Sequence, residues 1–300
     1  MLIHLPEMKT FDPRPRRCIY RWPKANPPGP FGREHIIARN LGGKLVLRNA
    51  SCRACEGLIN REIETPVLSQ TWVSPRAHLG LPSSKPKTTS RIGRWTDNGE
   101  ELPSNFAGLS FRFEEVPLPD RAFVIMLLDL LPPGILEGRA PTEKFPATGM
   151  AIHASGPWAE PNPGERVGIF EPFDPVVLGR FLAKVAHGAA VASFGLDGFE
   201  PFLPDLIKGN AAEISHHVGG SGKRGRRRPA LHRVALGTRC GLLLADIQLF
   251  AKFGLPPYQV VVGRLAGDLA KWHMSSRATV SMPAQWNSRV ERSSSSQPFA

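Results

Sequence analysis

The chain has 300 residues, 41% of them apolar, enough to bury the core of one large or two ordinary domains. Its formal net charge of +12 and pI near 10.1 predict attraction to polyanions, nucleic acid first and acidic membrane surface second. The apolar run Phe123–Leu128 is far shorter than the roughly 20 residues of a bilayer span, and no other run approaches that length, so no membrane-spanning segment is expected.

Met1–Thr10 lacks the apolar segment of a signal peptide, and residues 1–14, proline-containing and basic, read as a flexible lead-in. The most informative pattern lies in residues 15–80. Cys18 precedes a loop, Pro23–Gly32, too rich in breakers for regular structure. Glu34–Ala38 predicts a strand, Asn40–Lys44 a turn and Leu45–Arg48 a second strand. After Cys52-Arg53-Ala54-Cys55 the spacing becomes helical. Cys55, Ile59 and Ile63 form an apolar stripe and Glu56, Asn60 and Glu64 a polar one, until Pro66 closes the helix. A short helix is expected around Leu68–Leu79. Residues 81–105, with Lys85, Lys87, Arg91 and Arg94, read as a basic linker.

A second unit, α+β in class, is expected over residues 106–275. Ser110–Phe113 and Phe123–Met126 suggest strands, Leu131–Gly134 a turn, and Pro141–Pro172 gives no assignable element. Asp174–Phe194 is the clearest helix: Asp174 suits the cap, Pro175 the first position, and Gly195 the stop. A short helix or turn over Phe199–Leu206 follows, and then Lys223, Arg224, Arg226, Arg227 and Arg228 form a loop suited to sequence-blind phosphate contact. Leu231–Leu236, Leu242–Ala251 and Tyr258–Gly263 predict an antiparallel sheet, and residues 276–300, rich in Ser and Arg, read as disordered.

Three of the four cysteines cluster around this first unit, which favours metal ligation in a reducing cytoplasm over a secreted disulfide framework. Two cysteines separated by two residues can aim both sulfurs at one tetrahedral ion; the alternative is that they pack as small hydrophobes. His187 reads as a structural residue of its helix. His216-His217 reads as a loop feature or as part of a metal site, and His153, His232 and His273 suggest no chemistry. The sequence has no P-loop, no nucleophile elbow and no dinucleotide fingerprint followed by a helix, so kinase, serine-hydrolase and dehydrogenase readings have no support.

The series Cys18, Glu34-His35-Ile36-Ile37, Gly42-Gly43 and Cys52-Arg53-Ala54-Cys55 resembles the HNH endonuclease family, over about fifty residues. The resemblance implies a small ββα-metal module ahead of the larger α+β domain, and metal-dependent hydrolysis of DNA phosphodiesters. It makes His35 the general base that activates water and Glu34 a ligand of Mg²⁺ or another divalent ion, with Glu56 or Asn60 as a further ligand. Cys18, Cys52 and Cys55 would hold a structural Zn²⁺. The sequence departs from the family at Arg21, where a fourth cysteine is usual, at Glu56, where Asn or His is usual, and at Leu47, where an asparagine is usual. These departures leave two functions open: an endonuclease, or a protein of the same shape that binds nucleic acid without cutting it.

Overall fold

The computed structural model describes residues 3–4, 10–11, 17–21, 29–83, 89–96, 112–117, 123–142, 146–155, 163, 165–169, 173–266 and 278–282. The core is built around one helix, Pro175–Phe194. Asp174 caps it by accepting from the backbone N–H groups of Val176 at 2.8 Å and Val177 at 3.1 Å, and Pro175 sits where no N–H is needed. Gly195, with φ of 72°, ends it. These are the start and stop expected from the sequence. Buried residues run around the helix from Leu178 to Val191, the pattern of a core helix enclosed on all sides. By length and composition it could cross a bilayer, but 72% of its most apolar window is buried within the protein. Arg180, Lys184 and His187 interrupt the apolar run, so a count of consecutive apolar residues does not find it.

The helix packs on a sheet that also lines the core. Among the described residues it has seven strands, ordered Ile3–His4, Ala278–Met282, His232–Arg239, Leu242–Gln248, Tyr258–Leu265 and Phe199–Pro201, with Val218–Gly220 also paired to Tyr258–Leu265. Its centre is the three antiparallel strands expected from the sequence, joined first by the two-residue hairpin turn Cys240-Gly241, where both residues have positive φ. A separate hairpin pairs Phe123–Leu130 with Ala147–Ser155. Phe123–Leu130 buries residues on both faces, as its near-continuous apolar sequence requires. The chain is therefore α+β.

The N-terminal unit has the ββα order. Phe31–His35 pairs antiparallel with Val46–Cys52, and Thr10–Phe11 adds a parallel strand on the other edge. The turn between the two strands needs its glycines: Gly42 has φ of 80°, and a methyl on Gly43 would lie 1.8 Å from the Ile37 carbonyl oxygen. Asn49 takes a positive φ opposite the register shift at Gly32/Glu34, where an asparagine tolerates the left-handed backbone of a bulge. A helix then starts at Arg53.

Several expectations are corrected. The helix does not end at Pro66. It continues through π-helical turns at Asn60–Glu64 and Val67–Thr71 into Val73–His78, because the widened turns bond five residues back and accommodate the missing proline N–H. The basic linker contains a strand, Thr89–Thr96, between Arg112–Pro117 and Glu165–Ile169. The stretch Pro141–Pro172 holds two strands, Ala147–Ser155 and Glu165–Ile169. The tail read as disordered contributes Ala278–Met282, which pairs with His232–Leu236, and the lead-in contributes Ile3–His4 and Thr10–Phe11. Backbone pairing organises these segments, and composition does not report it. Residues 22–28, Lys85, Lys87, His273 and residues 283–300 lie outside the described residues.

The two expected units also share one core. A contiguous apolar cluster runs from Cys18 through Ile63 and Leu182 to Val262. Trp72, from the N-terminal unit, meets Phe181 of the central helix and Phe250 beyond the sheet edge-on, with ring centroids 5.6 and 5.3 Å apart.

Candidate metal centre and buried ion cluster

Three elements bring the cysteine sulfurs together. Cys18 opens a turn closed by the Arg21 N–H on the Cys18 carbonyl at 3.0 Å, and the Ile19 N–H fastens that turn to the Ala50 carbonyl at 2.8 Å. Cys52 is both the last residue of the Val46–Cys52 strand and the N-cap of the Arg53–Ile59 helix, which puts Cys55 in the first turn. The exposed backbone N–H groups of a helix start favour negative sulfur there. The three sulfurs lie within 4.8 Å of one another, and all three residues are buried. Among the described residues this is the one group of three or more His, Cys, Asp or Glu side chains that can close on an ion. A hydrogen bond from Cys55 brings the Cys18 thiol down to about 6 against the effect of burial, with help from the Cys52 and Tyr20 N–H groups. The same contact and burial push Cys55 up. One sulfur is thus readily a thiolate, which is the form a metal binds. The turn closes on Arg21, which offers no sulfur to the cluster.

Glu34 lies close by, but it faces the interior. Its carboxylate meets the Lys184 ammonium at 2.8 Å, and Glu64 meets the same ammonium at 2.7 Å. Lys184 also donates to the His35 backbone carbonyl, so its three protons have three oxygen partners. Lys184 is fully buried, and Tyr20 adjoins the cluster. Burial pushes Glu34 above the usual carboxylate range, against the pull of Lys184. Burial alone would depress Lys184, but Glu34 and Glu64 overcome it and hold the ammonium charged.

His35 is half-buried, and burial and then the Lys184 charge keep it below its ordinary value. Glu56 is exposed and its carboxylate rests over Gly32, where an added methyl would lie 2.6 Å from Oε2. Asn60 is exposed, with Thr65 Oγ1 donating to its side-chain oxygen at 3.5 Å. The expected polar stripe Glu56–Asn60–Glu64 splits because the π-helical turn takes an extra residue, rotating Glu64 inward to Lys184 and leaving the other two outside. Among the described residues Glu34, His35 and Glu56 do not form a group of three side chains that closes on one ion, and Lys184 already engages one oxygen of the Glu34 carboxylate. Lys223, Arg224, Arg226, Arg227 and Arg228 are all exposed, on the loop between Val218–Gly220 and His232–Arg239.

Two buried side chains escape a reading of the module alone. Lys184 and Arg76 are buried cations, Arg76 steadying the strand-joining turn through the Asn40 carbonyl at 2.9 Å. The signal for Lys184 was present: a lysine in mid-helix, flanked by Phe181, Leu182, Val185 and Ala186, needs a buried acid partner. No family model, curated protein or solved structure matches the chain.

Proposed function

We propose that this chain is a nucleic-acid-binding protein whose HNH-like ββα unit is a structural element, stapled by a zinc ion and without a hydrolytic metal site. The observation that carries this reading is the Lys184 ammonium on Glu34: the carboxylate that the resemblance assigns to a divalent ion already has a permanent, buried cation. Cys18, Cys52 and Cys55 are the residues to hold zinc, which would cross-link a turn, a strand end and a helix start. The net charge of +12 supports a polyanionic partner. The test is plasmid cleavage in Mg²⁺ or Mn²⁺ beside a DNA mobility shift at low salt, with His35→Ala purified identically. The expected result is a shift by both proteins and cleavage by neither, with zinc released on denaturation.

One observation favours the endonuclease instead. His35 is accessible and held neutral near pH 7, as a general base must be. Cleavage that disappears in His35→Ala would establish that reading and overturn the non-catalytic one.

A further inference from the structure

The loop from Gly219 to Arg228 is basic, but it is not a loose tail. Its ends and middle are fastened to the body of the protein. The Gly220 N–H bonds the Leu131 carbonyl at 2.9 Å, the Ser221 N–H the Pro257 carbonyl at 3.1 Å, and the Arg228 N–H the Ala251 carbonyl at 2.9 Å. Gln248, buried on the neighbouring strand, divides its amide between the Arg226 and Leu255 carbonyls, both at 2.9 Å. The backbone passes so close that a methyl on Gly220 would lie 2.1 Å from the Leu130 carbonyl oxygen, and one on Gly225 2.1 Å from that of Gly254. Side chains on such a loop lose less freedom when they engage a ligand, because their backbone is already placed.

The fastened loop forms one wall of a groove of about 910 Å³ on the sheet. Lys223, Arg224, Arg226 and Arg228 come from the loop, and Arg233 and Arg239 from the adjoining strand. Asp246 is the carboxylate in this lining, and its Oδ1 already accepts from Gln259 Nε2 at 3.0 Å. Among the described residues of the lining, five cations besides Arg233, which is already engaged, stand with one carboxylate; that exceeds what a single phosphate needs and suits a run of phosphates. Among the described residues no aromatic ring lines the groove, so they offer no platform on which an unpaired base could stack.

We infer that this groove, and not the ββα unit, is the docking site for double-stranded nucleic acid, held through its phosphate backbone without base readout. The inference rests on the nucleic-acid reading above and gives it an address on the C-terminal sheet. Phosphates on one side of a duplex lie along the loop and the exposed end of the His232–Arg239 strand, and affinity arises from released counterions.

The experiment compares three full-length proteins: wild type, Arg224→Gln/Arg226→Gln/Arg239→Gln in the groove, and Arg48→Gln/Arg53→Gln on exposed positions of the ββα unit. Binding of a 20-base-pair DNA duplex and of a 20-base single strand is measured by fluorescence anisotropy between 50 and 300 mM salt, with melting curves to show that each variant folds. At about 0.9 per phosphate contact, the groove variant should flatten the log affinity–log salt slope by roughly 2.7 and weaken duplex binding on the order of 100-fold at 100 mM salt. The ββα variant should stay within about threefold of wild type. Duplex binding lost in the ββα variant and retained in the groove variant overturns the inference but leaves the nucleic-acid reading intact. A marked preference for single strand also overturns it. Failure of the wild type to bind either probe at 50 mM salt removes the nucleic-acid reading itself, and the inference with it.

Discussion

Lys184→Met is the most informative single change. In the folded chain the ammonium is completely buried, while the Glu34 and Glu64 side chains are 6% and 21% exposed. Methionine keeps the length and apolar stem but removes the charge that both carboxylates share. Deleting one partner of a buried ion pair costs about 3–5 kcal/mol, because the other partner is left desolvated and unpaired. At about 2–4 °C per kcal/mol for a chain of this order, the melting temperature should fall by about 6–20 °C. Two further arms identify the cause. Lys184→Met/Glu34→Leu removes the stranded charge and should recover most of the loss, since apolar replacement of a buried pair is often neutral. The penalty of the single variant should also shrink on acidification. Glu34 already sits above the usual carboxylate range, and an acid with a raised folded-state pKa favours the folded chain as pH falls through that pKa. Finally, Lys184→Ala exposes three hard oxygen donors where the ammonium stood, so Mn²⁺ should raise its melting temperature and leave that of the wild type unchanged. The reasoning is refuted if Lys184→Met costs less than about 1 kcal/mol, or if the double variant is no more stable than the single one.

Two other consequences concern the cysteines and the buried histidines. If the proposed zinc staples the cysteines, Cys55→Ser should abolish metal binding and lower the melting temperature, and a chelator should destabilise the wild type without affecting the variant further; metal content and calorimetry together test this. His187 and His232 donate to the Ile19 and Leu41 carbonyls, both at 2.8 Å, and His232 Nδ1 also accepts the Phe250 N–H, so the ring works only when neutral. Burial brings both histidines down to about 4. Against an unfolded value of about 6.5, the folded chain binds fewer protons, so stability is full above pH ~6.5 and falls toward pH ~4 by up to about 1.4 kcal/mol per pH unit for each ring. Urea midpoints that stay flat between pH 7 and 4.5 would contradict this.

The local signals in the sequence were reliable where local physics decides. Asp174, Pro175 and Gly195 bound the central helix because capping needs only neighbouring backbone groups. The Cys52–Cys55 spacing placed two sulfurs at one helix start, and period and turn residues located the three central strands of the sheet. Strand pairings at Thr89–Thr96 and Ala278–Met282 were not legible, because backbone hydrogen bonds made across large sequence separations leave little trace in composition. The fate of Glu34 was the least visible of all. Whether an acid beside a histidine binds a metal or a lysine depends on what the rest of the fold brings to it, and Lys184 arrives from 150 residues away on a helix that the module's own sequence says nothing about. Sequence alone determined the ends of the central helix, the cysteine pair at one helix start and the basic loop. Tertiary packing decided which charges are buried together, because desolvation and pairing exist only once distant segments share one core.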